Sequence, residues 1–301
     1  MDYTKKLIEH GVVQADPLPD IEFLKDYYQN KYFQIKDVNS KTYDTTYTKN
    51  ELEHKKLESR LQLSAISENT NFIDCVELLE IGFGEGFFLE EAHKLGWVVS
   101  GADFSQFGVA KWHPHLLPFC EFGDTFDYVR RLIENKKKFH VCALRNVLEH
   151  VIDPAQLISQ IKKILTPDGV LLISIPNDYS DLQKKAIELS HIDQDFWFSP
   201  PEHLYYFNTD NISAFLTTHQ MKVVDFFTSF PVDFFLFHPG SNYIKDKNNG
   251  KAAHYARVDI DLMMAKKGLS NLLNMYRATA KCGVGRDLTV LAVINDKMEV
   301  E

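Results

Sequence analysis

The stretch Val76 to Ser105, VELLEIGFGEGFFLEEAHKLGWVVSGADFS, decides the fold. It opens with an apolar run that suits a buried strand, and glycines recur at alternate positions directly after that run. A helical segment with an apolar side follows and ends at Gly96, and a second strand, Trp97 to Ala102, delivers Asp103. A strand, a glycine-rich turn, a helix and a further strand in this order predict a βαβ unit.

Three glycines, Gly82, Gly84 and Gly86, form the turn. Because glycine has no Cβ, the backbone there can turn tightly and approach a ligand closely. The helix that follows offers N–H groups without a partner inside the helix. Asp103 lies 21 positions beyond Gly82, where a carboxylate can accept hydrogen bonds from ribose hydroxyls. The turn therefore predicts a ligand site, although a purely structural turn is the alternative.

The residues around the turn decide between two kinds of ligand. A dinucleotide fingerprint needs its third glycine at position 87, and Phe87 stands there. Glu80 precedes the turn in the pattern E-x-G-x-G-x-G, and a carboxylate beside a helix N-terminus suits a cationic ammonium better than an anion. With Asp103, this pattern resembles the class I S-adenosylmethionine-dependent methyltransferases. The resemblance implies that Glu80, the three glycines and Asp103 contact S-adenosylmethionine.

Further cofactor contacts follow from the same resemblance. Phe104 is expected against the adenine face, although a core position is equally compatible with the sequence. Asp124 would accept a hydrogen bond from the adenine amino group, or it caps the helix Thr125 to Asn135. Asn146 is also expected among the cofactor contacts.

The segment RNVLEHVIDP, Arg145 to Pro154, carries the first catalytic candidate. It resembles the LEHV segment of a large branch of small-molecule methyltransferases. In an open αβ sheet, ligands lie beyond the carboxyl ends of the strands, so Glu149 and His150 are expected near the methyl donor. His150 titrates near neutrality and could deprotonate an acceptor hydroxyl, or it could hydrogen-bond its own loop.

The segment Phe196 to Leu216 carries the second candidate, His203. It also resembles this branch, in which a histidine-aromatic motif precedes a helix. His203 would act as base or orient the acceptor. Tyr205 and Tyr206 would line the acceptor pocket, whereas Phe207 is expected in the core.

Composition bounds the function classes. The chain has 301 residues, is 45% hydrophobic and 25% charged, and carries a formal net charge of −9, so a surface for nucleic acid is not expected. The widely spaced cysteines are expected as reduced thiols: Cys75, Cys120, Cys142 and Cys282. The N-terminus lacks the apolar core of a signal peptide, and no run approaches the roughly 20 apolar residues of a membrane span. These features predict a cytoplasmic protein.

The predicted architecture is α/β, with a helical cap over residues 1–70 and a Rossmann-like domain over residues 71–301. A capping box of Thr48 and Glu51 begins the main helix of the cap. The cap is rich in tyrosine and could fold over the cofactor as a lid, or its tyrosines could be amphipathic surface packing. The resemblance implies a seven-stranded doubly wound sheet in the order 3-2-1-4-5-7-6, with the last strand antiparallel. Residues 231–282 are an insertion between the last two strands, expected as an ordered cap or as a homodimer surface.

The expected reaction is methyl transfer to a hydroxyl of a small molecule, a sugar or a nucleotide-sugar, without a metal. Two other readings stay open. An RNA 2′-hydroxyl methyltransferase would hold a metal with Glu149, His150 and His203, but the small-RNA enzymes carry a further Glu where Asn146 stands. In the second alternative, the chain binds the cofactor without catalysing a reaction and acts as an interaction protein.

Overall fold

The computed structural model describes residues 2–30, 46–72 and 75–295, except for the side chains of residues 25, 26 and 28–30. The strands within these ranges are β1 Thr4–Leu7, β2 Val13–Asp16, β3 Glu77–Ile81, β4 Val98–Asp103, β5 Cys120–Phe122, β6 Phe139–Arg145, β7 Leu165–Pro176, β8 Tyr205–Tyr206, β9 Met221–Thr228 and β10 Asp287–Ile294. The α-helices are α1 Ile21–Asn30, α2 Lys49–Asn69, α3 Phe87–Lys94, α4 Phe107–Trp112, α5 Thr125–Glu134, α6 Pro154–Ile164, α7 Asp181–Glu188, α8 Ile212–Thr218, α9 Asn248–Ala265 and α10 Leu269–Lys281. Short 3₁₀ helices cover Glu9–Gly11, Pro114–Phe119 and Val232–Phe237.

The main sheet has seven strands in the order β5-β4-β3-β6-β7-β10-β9. The strands β3 to β7 pair in parallel, and β10 lies antiparallel to both β7 and β9. This is the predicted order, which confirms the Rossmann-like α/β fold. Residues 170–175 of β7 are all buried, as expected for a parallel strand covered on both faces.

Helices cover both faces of the sheet. On one face, Val129 of α5, Leu157 of α6 and Leu216 of α8 belong to one buried apolar cluster. On the other face, Leu61 of α2 and Phe88 of α3 belong to a second cluster, together with residues of α10. The helix α2 therefore forms part of the layer that covers the sheet and is more than an appended cap.

The first sixteen residues differ from the predicted helical cap. Strands β1 and β2 form an antiparallel hairpin, and β2 pairs with β8 through Val13 and Tyr206. All four residues of β1 are exposed, so the strand shows no alternation of apolar and polar residues by which the sequence could have revealed it. The second partner of β2, the strand β8, is distant in sequence, which hides that pairing from local patterns.

The insertion predicted over residues 231–282 is ordered and mostly helical. Its first long helix, α9, packs against α2, and α10 packs on β9. Buried His54 of α2 bonds Asp261 of α9 through Nε2 at 2.8 Å, and Tyr276 of α10 donates to the same carboxylate. The insertion and α2 are thus joined by a buried polar network. Among the described helices, none combines the length and apolarity that a membrane span requires.

Candidate active site

A cavity of about 1250 Å³ opens at the carboxyl ends of β3, β4 and β6. Its floor includes the glycine turn, Asp103 and Asn146, while α1, α2 and α9 contribute the opposite wall. Ligand pockets usually measure roughly 300 to 1000 Å³, so this space suits two ligands side by side. The position matches the rule that open αβ sheets bind ligands beyond their strand ends.

All three predicted turn glycines adopt left-handed backbone angles, with φ of 71° at Gly82, 55° at Gly84 and 78° at Gly86. A Cβ on Gly82 would lie 2.4 Å from Cγ2 of Val147, so glycine allows the loop after β6 to approach the turn. A Cβ on Gly84 would meet no atom within 4 Å. The backbone at Gly84 therefore faces open space in the cavity, as a ligand cradle requires.

Asp103 ties the end of β4 to this turn. Its Oδ2 accepts a hydrogen bond from the Gly84 amide at 2.8 Å, and its Oδ1 accepts from the Ser105 amide at 2.9 Å. Burial raises the pKa of the carboxyl. Each carboxylate oxygen can accept a second bond, so the predicted contact with ribose hydroxyls stays compatible with this geometry.

Glu80 lies behind the cavity wall, which differs from the direct ammonium contact predicted for it. The side chain is fully buried, and Oε1 accepts a hydrogen bond from Nη1 of Arg145 at 3.3 Å. Oε2 has no hydrogen-bond partner in the described part of the chain. Burial raises the pKa of Glu80 to about 7 despite the guanidinium beside it. Arg145, not Glu80, contributes to the cavity lining.

Three other predicted cofactor residues line the cavity: Phe104, Asp124 and Asn146. Asp124 caps α5, since Oδ1 accepts from the amides of Phe126 and Asp127 at 2.9 and 3.3 Å. Capping and an adenine contact are compatible, because the residue also faces the cavity. Asn146 has a φ of 54°, a conformation that asparagine tolerates better than most residues.

His150 reaches the cavity from the loop after β6. Its Nδ1 lies 2.5 Å from the carbonyl oxygen of Glu202, so Nδ1 carries the proton and Nε2 carries the lone pair. Burial lowers the pKa of the imidazole to about 4. His150 is therefore neutral near pH 7, and its Nε2, which lies 3.7 Å from Oε1 of Glu149, carries no proton. Both predicted roles of this histidine, bonding its own surroundings and facing the ligand, are compatible with the structure.

His203 lies behind His150 and does not belong to the cavity lining, which differs from the predicted acceptor contact. The two imidazole rings meet edge to face with centroids 4.9 Å apart. Burial, reinforced by His150 and Arg286, lowers the pKa of His203 to about 3. Its place indicates a positioning role toward His150.

Tyr205 and Tyr206 are buried and lie outside the lining, contrary to the predicted acceptor pocket. The Tyr205 hydroxyl donates to the Ile152 carbonyl oxygen at 2.8 Å, and the Tyr206 hydroxyl donates to the His203 carbonyl oxygen at 2.8 Å. Both rings anchor the loops that carry the two histidines. Phe207 lies in the core, as expected.

Glu149 is the most unusual group near this cavity. Its side chain is buried, and neither carboxylate oxygen has a hydrogen-bond partner among the described residues. Desolvation raises its pKa well above the usual range. Ligand atoms of Glu149, His150 and His203 all lie within 4.8 Å of one another. Imidazole and carboxylate together suit a divalent transition metal, so the structure brings together the residues of the metal alternative.

The sequence analysis missed a contact between the N-terminal segment and the glycine turn. The hydroxyl of Tyr47 donates to Oε1 of Glu85 at 2.9 Å, and Nζ of Lys55 lies 2.9 Å from Oε2 of the same carboxylate. The ammonium also lies over the Tyr47 ring at 4.6 Å. The abundance of tyrosine before residue 50 was the available signal, although Tyr32 and Tyr43 lie outside the described residues.

The lining residues of α9 were also missed. His254, Arg257, Val258 and Asp261 face the cavity with the spacing of one helical face. The helical spacing of these residues is visible in the sequence, but the polar residues among them form no motif that predicts a ligand site. Their role depends on where the insertion folds, which local patterns do not determine.

Comparisons with known proteins agree with this geometry. The sequence profile of a family described as a methyltransferase domain matches residues 30–225. A ubiquinone biosynthesis O-methyltransferase from Pasteurella multocida is 30% identical over 131 residues, covering 39% of this chain and 53% of that protein. The protein of the same name from Actinobacillus pleuropneumoniae is 34% identical over 128 residues, covering 39% of this chain and 53% of that protein.

The chain spans about half the length of the curated relatives it matches. Among solved structures, a SAM-dependent methyltransferase from Archaeoglobus fulgidus superposes with a TM-score of 0.48 at 17% identity, covering 79% of this chain and 94% of that chain. The family match contains the glycine turn, Asp103 and His150, and ends before α9 begins.

Proposed function

Because the chain belongs to the S-adenosylmethionine-dependent methyltransferases of this domain family, we propose that it methylates a hydroxyl group of a small-molecule acceptor, a sugar or a related metabolite. One observation carries this proposal. The glycine turn with Asp103 and the basic nitrogen of His150 belong to the same cavity, so a bound cofactor and a general base share one space.

The cavity fits the cofactor at three points. The backbone at Gly84 faces open space, Asp103 keeps acceptor capacity for ribose hydroxyls, and Phe104 lines the same cavity, which supports its expected contact with the adenine. S-adenosylmethionine, when bound, supplies a methyl group activated by its sulfonium. The chain then has to hold the acceptor in line with that group, exclude water and remove a proton.

His150 is suited to the proton transfer. Since Nδ1 donates to the Glu202 carbonyl oxygen, Nε2 can accept the hydroxyl proton of the acceptor. His203 packs against the His150 ring, and the Glu202 carbonyl oxygen fixes the tautomer of His150. His203 and the Glu202 carbonyl therefore act as positioning groups. The lowered pKa keeps His150 unprotonated at neutral pH, ready to accept a proton.

Oxygen is the favoured acceptor atom for two reasons. A base is of use to a hydroxyl, whose pKa lies far above neutrality, more than to an amine that is already nucleophilic. The curated relatives are also named as O-methyltransferases. A sugar is favoured by the polar character of the wall that α2 and α9 contribute, with His54, Glu58 and Arg257.

The test is a screen of sugars, sugar acids, nucleotide-sugars and phenols with S-adenosylmethionine, following release of S-adenosylhomocysteine and the mass of the acceptor. We expect a mass gain of one methyl group on a hydroxylated acceptor, formed more slowly by Asp103→Ala when the cofactor is below saturation. Methylation confined to amine acceptors would contradict the choice of oxygen. Cofactor binding without turnover on any acceptor class would favour the non-catalytic alternative.

Metal-assisted methylation is the second candidate, favoured by the clustering of Glu149, His150 and His203. These residues would hold a divalent cation, which would supply a Lewis acid for the acceptor oxygen. The argument against it is that Glu149 and His203 stand outside the cavity lining. Dialysis against a chelator separates the candidates: the general-base route predicts retained turnover, whereas the metal route predicts loss that Mg²⁺ or Mn²⁺ restores.

A further inference from the structure

Arg257 differs from the other cationic residues of the cavity. Among the described lining residues, the lysine and arginine side chains are those of Lys55, Arg130, Arg145, Arg257 and Arg286. Four of them have a carboxylate partner: Lys55 with Glu85, Arg130 with Asp127, Arg145 with Glu80 and Arg286 with Asp178. Arg257 forms no ion pair or hydrogen bond with any residue that the structure describes.

The surroundings of Arg257 make that lack of a partner costly. Its Nε is buried without a hydrogen-bond partner in the described structure, although the residue as a whole keeps partial exposure. A guanidinium has five N–H donors and cannot lose its proton in a protein. Unmet donors of a partly desolvated cation cost more than those of a neutral group. A ligand that supplies hydrogen-bond acceptors would satisfy the N–H donors that this part of the cavity wall leaves without partners.

Nearby acidic groups do not fill this role. Glu58 also lines the cavity, and although burial would raise the pKa of its carboxyl, His54 and Arg257 hold that pKa below its usual range. Among the described residues, Glu58 forms an ion pair with Nδ1 of His54, at 3.6 Å. Asp261 is engaged by Nε2 of His54 and by the Tyr276 hydroxyl. Both carboxylates thus have other partners in the network between α2 and α9.

We infer that Arg257 binds an anionic substituent of the acceptor, a carboxylate or a phosphoryl group, through its planar guanidinium. This inference rests on the proposed function and specifies its substrate class: a hydroxylated small molecule with a negative charge. Arginine suits either group, because its fork of N–H donors matches two oxygens of one anion.

The position of Arg257 assigns this specificity to the insertion. The residue stands on α9, beyond the residues that the family profile matches, while the glycine turn and His150 stand within them. Cofactor binding and proton transfer therefore come from the part of the chain shared with the family. The anion subsite comes from the part that distinguishes this chain.

The first experiment measures anion binding directly, without requiring turnover. Protein saturated with S-adenosylhomocysteine is titrated with pyrophosphate and, separately, with malonate by calorimetry. The variants are Arg257→Gln, Arg257→Lys and the matched control Arg131→Gln, an exposed arginine that lies outside the cavity. We expect wild type and Arg131→Gln to bind at least one anion alike. Arg257→Gln should lose about 10- to 100-fold in affinity, the scale of charge-assisted hydrogen bonds.

Arg257→Lys keeps the charge without the fork and should fall between wild type and Arg257→Gln. Thermal unfolding shows whether Arg257→Lys is folded. A folded Arg257→Lys keeps the comparison with wild type valid if Arg257→Gln is unstable. Equal anion affinity in wild type and the Arg257 variants, or no anion binding by wild type, would overturn the inference. Preference for pyrophosphate or malonate identifies the phosphoryl or the carboxylate source.

The second experiment separates the inference from the proposed function. Matched acceptors such as glucose, glucuronate and glucose 6-phosphate are compared for methyl transfer. Faster turnover of the charged members, lost in Arg257→Gln, supports the inference. Turnover of neutral members alone would leave the methyltransferase proposal standing and remove the anion subsite. Binding of anions through Arg257 without methylation of any acceptor would leave the anion subsite standing and contradict the proposed methyl transfer.

Discussion

Asp103 joins two functions in one carboxylate. Its oxygens accept hydrogen bonds from the amides of Gly84 and Ser105, and the residue also lines the cavity in which we propose that the cofactor binds. We predict that Asp103→Ala weakens S-adenosylmethionine binding by about 1 to 3 kcal/mol, since buried donors lose their acceptor. Calorimetry of cofactor binding measures the change.

Asp168→Asn is the control, because Asp168 is exposed near the start of β7 and lies outside the cavity lining. It should bind the cofactor as wild type does. An unchanged dissociation constant in Asp103→Ala would remove Asp103 from the ribose role and leave it as an internal brace of the turn.

His150 makes the second prediction at this scale, a pH profile. Burial depresses its pKa to about 4, and the base form is required for proton transfer. The rate should therefore stay nearly constant from pH 7.5 to 5.5 and fall only as the pH drops through about 4. A histidine with the ordinary pKa of about 6.5 would lose roughly nine-tenths of its base form by pH 5.5. Initial rates in a series of buffers test this.

The matched substitution is His150→Gln, with exposed His238→Gln as control. Loss of the base should lower kcat by about 100- to 10,000-fold at all pH values while cofactor affinity stays within a few-fold. Near-normal turnover in His150→Gln would place the base elsewhere or leave positioning as the source of the rate.

At the scale of elements, the N-terminal segment is tied to the glycine turn through Tyr47 and Glu85. Removing the hydroxyl in Tyr47→Phe leaves the Lys55–Glu85 ion pair and the packing of the ring against Trp112 at a centroid distance of 5.2 Å. We predict a loss of roughly 1 kcal/mol in the contact, the usual scale of one hydrogen bond. Because the turn and this segment both border the cavity, the cofactor should leave about fivefold faster.

Stopped-flow measurement of cofactor release follows that change. Tyr128→Phe is the control, as Tyr128 stands on α5, packs against a buried apolar cluster and lies outside the lining. Equal release rates in Tyr47→Phe and wild type would mean that the segment does not restrain the bound cofactor.

The same scale shows which elements the sequence predicts. The units around β3, β4, β6 and β7 are recognisable because each strand is rich in apolar residues and is bounded by turn residues close in sequence. Details at the edges are less accessible: a 3₁₀ helix occupies Pro114–Phe119, and the edge strand β5 that follows has only three residues, Cys120–Phe122. A short edge strand has little apolar pattern to mark it.

The candidate site likewise contains residues that the sequence predicts and residues that it does not. The glycines, Asp103 and His150 could be predicted because they stand at strand ends that the alternation of elements fixes. Tyr205 and Tyr206 were misplaced, since an aromatic pair reads the same whether it faces a ligand or braces a loop. Arg257 could not be placed, because its role depends on contacts across the whole fold.

At the scale of the whole molecule, the cavity lies between parts of the chain that are far apart in sequence. The βαβ unit provides one wall, while α2 and α9 provide the other and are joined to each other by the His54–Asp261 contact. A ligand that touches both walls therefore stabilises the assembled molecule as well as its own subsite. Thermal unfolding reports this linkage.

The final prediction uses that linkage to distinguish two cofactors. Phe87 begins α3 where a dinucleotide site needs glycine, and its ring is buried against His113 with centroids 4.7 Å apart. The third glycine of a dinucleotide site allows close packing of the helix on the strand, and the bulky Phe87 side chain does not provide this packing. S-adenosylhomocysteine at 100 times its dissociation constant should add about 2.7 kcal/mol and raise Tm by roughly 5 °C or more. NAD at the same concentration should leave Tm unchanged. Asp103→Ala should show a smaller shift at equal ligand concentration, while Asp168→Asn should match wild type. Stabilisation by NAD alone would contradict the cofactor assignment, and with it the proposed chemistry of His150.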